Sequence, residues 1–433
     1  MQYKWSEIPA LLSTPLGRFH LMHGIYRNTW PILSRIAYLY RSTLVRNTRI
    51  IAVVGSYGKS TTTRALISAL GKQYHPSFQR NSWTGIARGI LRIRPFDRHA
   101  AIEVGIHGRG EMDIYARLIR PDITVVTSIG SEHNRSLGTL ETTRSEKSAM
   151  VKSLRESGLA VLNGDDPNVL WMKSQTSARV ITFGIGETND IIARDIKLDW
   201  PNGMRLKLHA GGETRALSTR LIGKHMVYPV LATIAVAIAE GLDLDQVIRA
   251  LESLPPTSGR LQPVELANGA FILRDDHKSG LETVEAALDA LSEIPAKRRI
   301  VVLGEIEEPP GSQGPIYRAI GERIAEIAWQ AIFLGGDTGC KSYAVGAKRG
   351  GLPPERIINA GRDIFKAIEA LRETLIPGDV VLIKGRDTQR LERVAFSLMA
   401  LPVRCDISFC NAKVNCEHCP MLERGWRGQN AVM

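Results

Sequence analysis

The sequence predicts an α/β protein of two or three domains, with a mostly parallel sheet around a phosphate-binding loop and a Rossmann-like domain after it. Three observations lead there. A β-branched run at residues 50–54 enters Gly55-Ser56-Tyr57-Gly58-Lys59-Ser60-Thr61, and residues 61–70 then take helical spacing. Short apolar runs alternate with helical windows along the chain, the pattern of a parallel sheet covered on both faces. The length, 433 residues, exceeds what one hydrophobic core organises.

The loop carries the most specific chemistry. Strand, glycine turn, Lys-Ser and helix together make a phosphate cradle. Gly55 and Gly58 let the backbone turn tightly and aim its N–H groups at phosphate oxygens. The helix N-terminus adds partial positive charge. Lys59 reaches the terminal phosphates, and the hydroxyl of Ser60 or Thr61 faces Mg²⁺. Gly55, Ser56, Tyr57, Gly58, Lys59, Ser60 and Thr61 are therefore the candidate ATP-binding residues. The alternative, an ordinary strand-to-helix turn, leaves Gly-Lys-Ser-Thr unaccounted for. Counted from Gly55, the loop is shorter than the usual Walker spacing.

Composition sets the broad class. Apolar residues make up 44% and charged residues 23%, ordinary for a soluble globular enzyme. No window holds about 18 uninterrupted apolar residues, and no secretory leader is evident, so a cytoplasmic protein is expected. The net charge of +12 suits nucleotides, phosphorylated substrates, nucleic acid or an anionic membrane surface. No nucleic-acid partner is expected.

Taken in order, residues 1–48 stand apart. Lys4, Arg18, Arg27, Arg35, Arg41 and Arg46 face a single acid, Glu7. Tyr3, Trp5, Phe19, Tyr26, Trp30, Tyr38 and Tyr40 are interleaved with them. Ile32, Leu33, Ile36, Leu39 and Tyr40 fall near helical spacing. A basic, aromatic, amphipathic segment suits peripheral contact with the inner face of a membrane. The plainer alternative is a pair of helices packed on the next domain.

Residues 49–258 form the expected central domain. Strands are expected at 101–105, 122–129 and 160–163, antiparallel strands within 181–208, and a buried helix at 226–240. Leu254-Pro255-Pro256-Thr257-Ser258-Gly259 reads as a loop and marks the boundary. Residues 259–402 repeat an α/β pattern, with strands at 271–273, 300–303, 331–334, 357–358 and 380–383. Residues 403–433 are a tail holding Cys405, Cys410, Cys416 and Cys419, while Cys340 stands alone. This is not the pattern of a secreted disulfide framework.

Four stretches narrow the chemistry. The first is Ile102-Glu103-Val104-Gly105, followed by Gly110-Glu111-Met112-Asp113 and Arg120-Pro121-Asp122. The second is Thr127-Ser128-Ile129-Gly130-Ser131-Glu132-His133, then Gly138-Thr139-Leu140-Glu141 and Lys147. The third joins Gly259-Arg260 to Asp275-Asp276-His277-Lys278-Ser279-Gly280-Leu281. The fourth is Leu382-Ile383-Lys384-Gly385-Arg386. From about residue 49 to about residue 400 the chain resembles the Mur ligase superfamily, most closely its D-alanyl-D-alanine-adding branch. That family's own phosphate loop is Gly-x-x-Gly-Lys-[Ser/Thr], which the short spacing fits.

The resemblance implies a P-loop central domain, a Rossmann-like ligase domain, and a requirement for ATP and Mg²⁺. It implies Ser60, Glu103 and His133 at the metal ions. It makes Lys147 the lysine that the family carbamylates, which turns an ammonium into an anion able to hold a second Mg²⁺. Lys59, His133 and Lys147 are then the catalytic set. Arg260 and Asp276 would hold nucleotide and the domain junction, and Lys384 and Arg386 would lie near the incoming amine. Three positions depart from the pattern. His277-Lys278-Ser279-Gly280-Leu281 replaces Tyr-Asn-Ala-Asn-Pro, a serine is missing before Arg386, and Met226 replaces an asparagine after His225. Only 48 residues precede the nucleotide strand, too few for the domain with which peptidoglycan members grip a UDP-sugar. The expectation is a carboxylate substrate held in another way.

The implied reaction is ATP-driven amide formation through an acyl phosphate, joining an amino acid or amine to a small-molecule carboxylate. The alternatives are a P-loop phosphotransferase or NTPase, and a non-catalytic binding member of the same family. In the tail, Cys416 and Cys419 have the two-residue spacing that lets both sulfurs reach one metal. Zinc is the first expectation, an iron–sulfur cluster the second, and unliganded thiols the alternative to both.

Overall fold

The computed structural model describes residues 8–73, 81–131, 134–412 and 414–425. Two compact units form: one is Tyr26–Pro255, the other joins the chain up to Ile25 with Pro256 onward.

The first unit is built on one 8-stranded sheet. Its strands are β1 (Arg49–Val54), β2 (His99–Glu103), β3 (Ile123–Val126), β4 (Leu159–Asn163), β5 (Arg179–Gly184), β6 (Ile191–Asp199), β7 (Gly203–Ala210) and β8 (Glu213–Thr219). The spatial order is β2-β1-β3-β4-β5-β6-β7-β8. Pairings from β2 through β6 are parallel, and β6-β7-β8 is an antiparallel meander. β1 and β3 are β-branched and buried almost throughout, as central parallel strands must be. Helix Val227–Ala239 packs on β4, β5 and β6. Its sequence, VYPVLATIAVAIA, is apolar all round because it is buried almost throughout, and Pro229 falls in the first turn where no helical N–H is lost.

The sequence reading holds for these elements, with two differences. Residues 179–184 extend the parallel sheet as β5, so the antiparallel part starts only after β6. β8 was not foreseen: ETRALST shows five exposed residues of seven and lacks a clear apolar alternation.

In the second unit, the sheet order is β13-β12-β11-β14-β10-β9. The strands are β9 (Gln262–Glu265), β10 (Phe271–Asp275), β11 (Arg299–Leu303), β12 (Gln330–Leu334), β13 (Ile357–Gly361) and β14 (Val380–Lys384). All pairings are parallel except that of β9 with β10. The five predicted strands are present. β9, Gln-Pro-Val-Glu, is too short and polar to register in sequence, and its proline sits at a sheet edge.

Helix Pro15–Ser42 precedes β1. Trp30, Leu33, Ala37 and Tyr40 pack into the core of the first unit. Trp30, Trp83 and Tyr115 form an edge-to-face trio, with centroids 5.2 Å apart for the two tryptophans. Arg41 closes the helix. Its buried guanidinium donates to the carbonyls of Ile119, Val45, Thr48 and Arg120 and to Asp122 Oδ2, at 2.7–3.2 Å. No helix among the described residues is long and apolar enough to cross a membrane.

Candidate active site

The phosphate loop leaves β1 at Val54. Gly55 has φ +146°, and a Cβ there would lie 2.1 Å from Thr127 Oγ1. Only a glycine lets the loop pass Thr127 this closely. Gly58, with φ +84°, caps helix Lys59–Ala69 without a side-chain hydrogen bond to the first turn. The end of β3 holds the loop from the other side. Ser56 N–H donates to the Ser128 carbonyl (2.8 Å), Tyr57 N–H to Ser128 Oγ (2.8 Å), and Thr127 Oγ1 to the Tyr57 carbonyl (2.5 Å). Lys59 curls back over the loop, its Nζ donating to the carbonyls of Gly55 and Ser56, both at 2.8 Å. Ser60 and Thr61 follow it in the first helical turn, Ser60 half-buried and Thr61 buried.

Lys147 comes from helix Leu140–Lys152, far along the chain, and is 2% exposed. Its Nζ donates to Ser56 Oγ at 2.8 Å. The same hydroxyl accepts the Gly130 N–H (2.8 Å) and donates to the Gly130 carbonyl (3.2 Å). A lysine chosen from sequence alone is thus buried against the phosphate loop. Glu103 ends β2 opposite Val53, and Val104 N–H donates to the Val53 carbonyl. Its carboxylate therefore stands beside the strand that launches the loop, and it is 3% exposed. Asn81 orients it: Asn81 Nδ2 donates to Glu103 Oε1 at 2.8 Å, and the Asn81 carbonyl accepts Gly105 N–H at 2.7 Å. His133 lies outside the described residues.

Asn81, Thr127 and Ser128 were not among the predicted site residues. Thr127 and Ser128 stood inside a motif already noticed. Nothing in the sequence around Asn81 signals its role.

In the second unit the predicted residues gather at the ends of β10 and β14. Asp276 is 4% exposed and takes a bidentate pair from Arg274, at 2.9 and 3.2 Å. Burial, with Glu392 and Asp275 nearby, lifts its carboxyl to about 6 even against the pull of Arg274. Gly259, φ +67°, brings its backbone against this carboxylate, and Arg260 follows it. Lys384 is 1% exposed, and its Nζ donates to Asp275 Oδ2 (2.6 Å) and to the Lys278 carbonyl (2.8 Å). Arg386 is half-buried and pairs with Glu305 at 2.5 Å.

The tail forms a separate cluster in the same unit. Cys405, Cys410, Cys416 and Cys419 all line one small cavity with Arg390 and Arg393. Among the described residues no group of three or more His, Cys, Asp or Glu is gathered so as to hold a metal ion.

Residues 53–237 match the Mur ligase middle domain, and residues 259–386 match the Mur ligase glutamate ligase domain. A UDP-N-acetylmuramoyl-tripeptide–D-alanyl-D-alanine ligase of Bacillus subtilis is 26% identical over 87% of this chain and 81% of its own length. The corresponding ligase of Mycobacterium tuberculosis is 27% identical over 91% of this chain and 83% of its own. A crystal structure of MurF from Acinetobacter baumannii superposes with TM-score 0.75 at 22% identity, covering 85% of this chain and 80% of that one. Together the two domain matches span well over half of the sequence, and the chain belongs to the Mur ligase family of ATP-dependent, ADP-forming ligases that make amide bonds.

Proposed function

We propose that this ligase joins an amino acid or other amine to a small-molecule carboxylate, and that Lys59, Lys147 and Glu103 do the central work. The observation that carries this reading is Lys147 Nζ at 2.8 Å from Ser56 Oγ of the phosphate loop. A buried ammonium there suits a lysine that becomes an anion by carbamylation, since a bare cation would repel Mg²⁺. A plain P-loop phosphotransferase has no use for such a group.

The residues present fit Mg²⁺. Glu103, whose buried Oε2 accepts no hydrogen bond among the described residues, and Ser60 in the first turn of the helix offer the hard oxygen donors that Mg²⁺ prefers. Carbamylated Lys147 and His133 complete the proposed set. When bound, Mg²⁺ neutralises charge on the phosphates. The loop N–H groups and the helix N-terminus bind and orient the nucleotide phosphates. Lys59 places a fixed cation at the transferring phosphoryl group. The substrate carboxylate attacks the γ-phosphorus and ADP leaves. The amine then attacks the acyl phosphate, and phosphate leaves with formation of the amide. Arg260 and Asp276 are assigned to the nucleotide, and Arg386 to the amine side, with Lys384 bracing the strand ends beside it. A MurF of Thermotoga maritima crystallised with ADP shares this fold at TM-score 0.72 and 20% identity, which supports the nucleotide assignment.

The same reading places the protein at an anionic membrane surface. Ile32, Ile36 and Leu39 are 65%, 49% and 61% exposed, on the face of helix Pro15–Ser42 opposite its packed residues. Among the described side chains the helix exposes Arg18 and Arg35, and it carries no acid. An apolar stripe among cations suits anionic lipid. The tail cysteines line one small cavity, but no three of them are gathered to hold a metal ion among the described residues, so no step or role is routed through zinc or an iron–sulfur cluster there. The deciding experiment is ADP release by purified protein against pools of carboxylic acids and amines, with mass spectrometry of the products. ADP that forms only when both an acid and an amine are present supports the ligase. ADP formed equally without any amine refutes it.

A further inference from the structure

We infer that the carboxylate substrate is carried on a membrane lipid and reaches the reacting centre past Trp83, an inference that rests on the ligase and membrane readings above. Between Glu7 and Asp97 the chain holds 13 Lys/Arg and no acid. That stretch contains both the phosphate loop and helix Pro15–Ser42, so the nucleotide site and the membrane face lie in one cationic region. Arg35, Arg46 and Arg94 are exposed on the helix and on turns beside it. The turn that carries Arg94 meets the helix where Tyr40 Oη donates to the Ile93 carbonyl at 2.7 Å. Phe96, in the same turn, is 95% exposed. Cations around exposed apolar side chains suit anionic headgroups, at about 1 kcal/mol for each charge near the surface.

The helix joins that face to the reacting end of the sheet. From Tyr26 on it belongs to the first unit. At one point Trp30 meets Trp83, two residues after Asn81, whose side chain bonds Glu103 at the end of β2. Further on, Arg41 bonds the carbonyls of Ile119 and Arg120, just before β3 begins. The stretch from Trp30 to Arg41 rises about 17 Å, the length of a short strand. β2 is an edge strand, so Glu103 stands at the rim of the sheet and not in its middle. A bilayer against Ile32, Ile36 and Leu39 therefore lies alongside the end where the reaction is placed.

Trp83 marks the entrance. Its backbone is held at φ +45° and ψ −124°. A tryptophan there costs about 1–3 kcal/mol, and such strain gathers at ligand contacts. Its N–H donates to Tyr115 Oη at 3.1 Å, and its ring packs edge-on against Trp30 and Tyr115. The ring remains 39% exposed. An indole, apolar with one polar N–H, favours the level where headgroups meet acyl chains. A dissolved acid gains nothing from an apolar stripe joined to Glu103 through two tryptophans. An acid confined to the bilayer gains a short path and a raised local concentration. The chemistry is unchanged. The tethered carboxylate oxygen bonds to the γ-phosphorus as the bond to ADP breaks. The amine nitrogen then bonds to the acyl carbon as phosphate leaves, and its proton passes to solvent.

The test supplies full-length protein with ATP, Mg²⁺ and mixed amino acids. The acid comes either from a chloroform–methanol extract of the source cells, dispersed in phosphatidylglycerol vesicles, or from the aqueous extract of the same cells. The expected result is amine-dependent ADP release with the lipid extract alone, and an amide product that partitions into the organic phase. The rate should fall when more phosphatidylglycerol is added at fixed extract, because a lipid-borne substrate is then thinned in the surface. Trp83→Ser should raise the apparent KM for the extract several-fold and leave that for ATP unchanged, and Trp83→Phe should recover most of the loss. The surface-dilution measurement uses wild-type protein, so a misfolded variant leaves the answer intact. An amide formed from the aqueous extract, at a rate that vesicles do not alter, would overturn the lipid substrate and leave the ligase standing. ADP release from neither extract, or release that needs no amine, would overturn the ligase reading beneath it.

Discussion

Replacing Lys147 tests the proposed chemistry most directly. Lys147→Ala removes the hydrogen bond from Nζ to Ser56 Oγ at 2.8 Å. A charge-assisted bond of this kind contributes about 1.5–3 kcal/mol. The lost stem adds about 0.8 kcal/mol for each buried methylene. Ser56 Oγ keeps its two contacts with Gly130, so the loop retains a partner on that side. A loss of this size is large against ordinary protein stability, and a companion variant is needed. Lys147→Met keeps most of the buried stem and removes the nitrogen. Both variants should lose at least about 100-fold in ADP formation, as when one fixed transition-state group is removed. That corresponds to about 2.7 kcal/mol. Acetate or formate should restore part of the activity to Lys147→Ala, where the side chain has left space for a carboxylate. Neither acid should help Lys147→Met, where the space is filled. The assay is coupled ADP release, with thermal unfolding of each variant measured in parallel. Full activity in a folded Lys147→Met, or equal stimulation of both variants by acetate, refutes the carbamylated-lysine argument.

Lys59→Ala should reduce ADP release to background, and a near wild-type rate would remove the P-loop assignment. Gly259→Ala should lower the urea midpoint by an amount worth about 1–3 kcal/mol, because φ is +67° and the new Cβ would lie 2.6 Å from Asp276 Oδ1; an unchanged midpoint contradicts the packing described. Asp276 holds its proton more tightly when folded, at about 6 against 3.8, so its contribution to stability falls as pH rises through that window. Asp276→Asn should flatten the pH dependence of the unfolding midpoint across the same range, and an unaltered slope would count against the assignment. Wild-type protein should co-sediment with phosphatidylglycerol vesicles and not with phosphatidylcholine vesicles. The triple change Ile32→Ser, Ile36→Ser, Leu39→Ser should abolish this without loss of fold, and vesicle binding that survives it would show that another surface is responsible.

What the sequence revealed depended on how much of each signal was local. β1, β3 and β14 are short β-branched runs between turns, and they stand where the reading put them. β8 and β9 are edge strands whose pairing is set by a neighbour and not by their own composition. Helical spacing brought out Ile32, Leu33, Ile36, Leu39 and Tyr40 together, but periodicity cannot say which side faces the core. Leu33 and Tyr40 turn inward, while Ile32, Ile36 and Leu39 turn out. That division depends on Trp83 and Tyr115, which meet Trp30 from distant parts of the chain.

Motifs have the same limit: they give a residue's address more readily than its job. Lys384 and Arg386 were read together as neighbours of an incoming amine. Their surroundings differ. Lys384 is 1% exposed, and two acceptors from the β10 side, Asp275 Oδ2 and the Lys278 carbonyl, already engage its ammonium. Reaching a substrate would mean giving up a buried ion pair, a step that costs several kcal/mol. Arg386 is 31% exposed and holds Glu305, itself 22% exposed. Solvent screens such a pair, so exchanging Glu305 for a substrate anion costs far less. The physical reading therefore separates two residues that the sequence joined: Lys384 braces the ends of β10 and β14, and Arg386 is the group free to change partners.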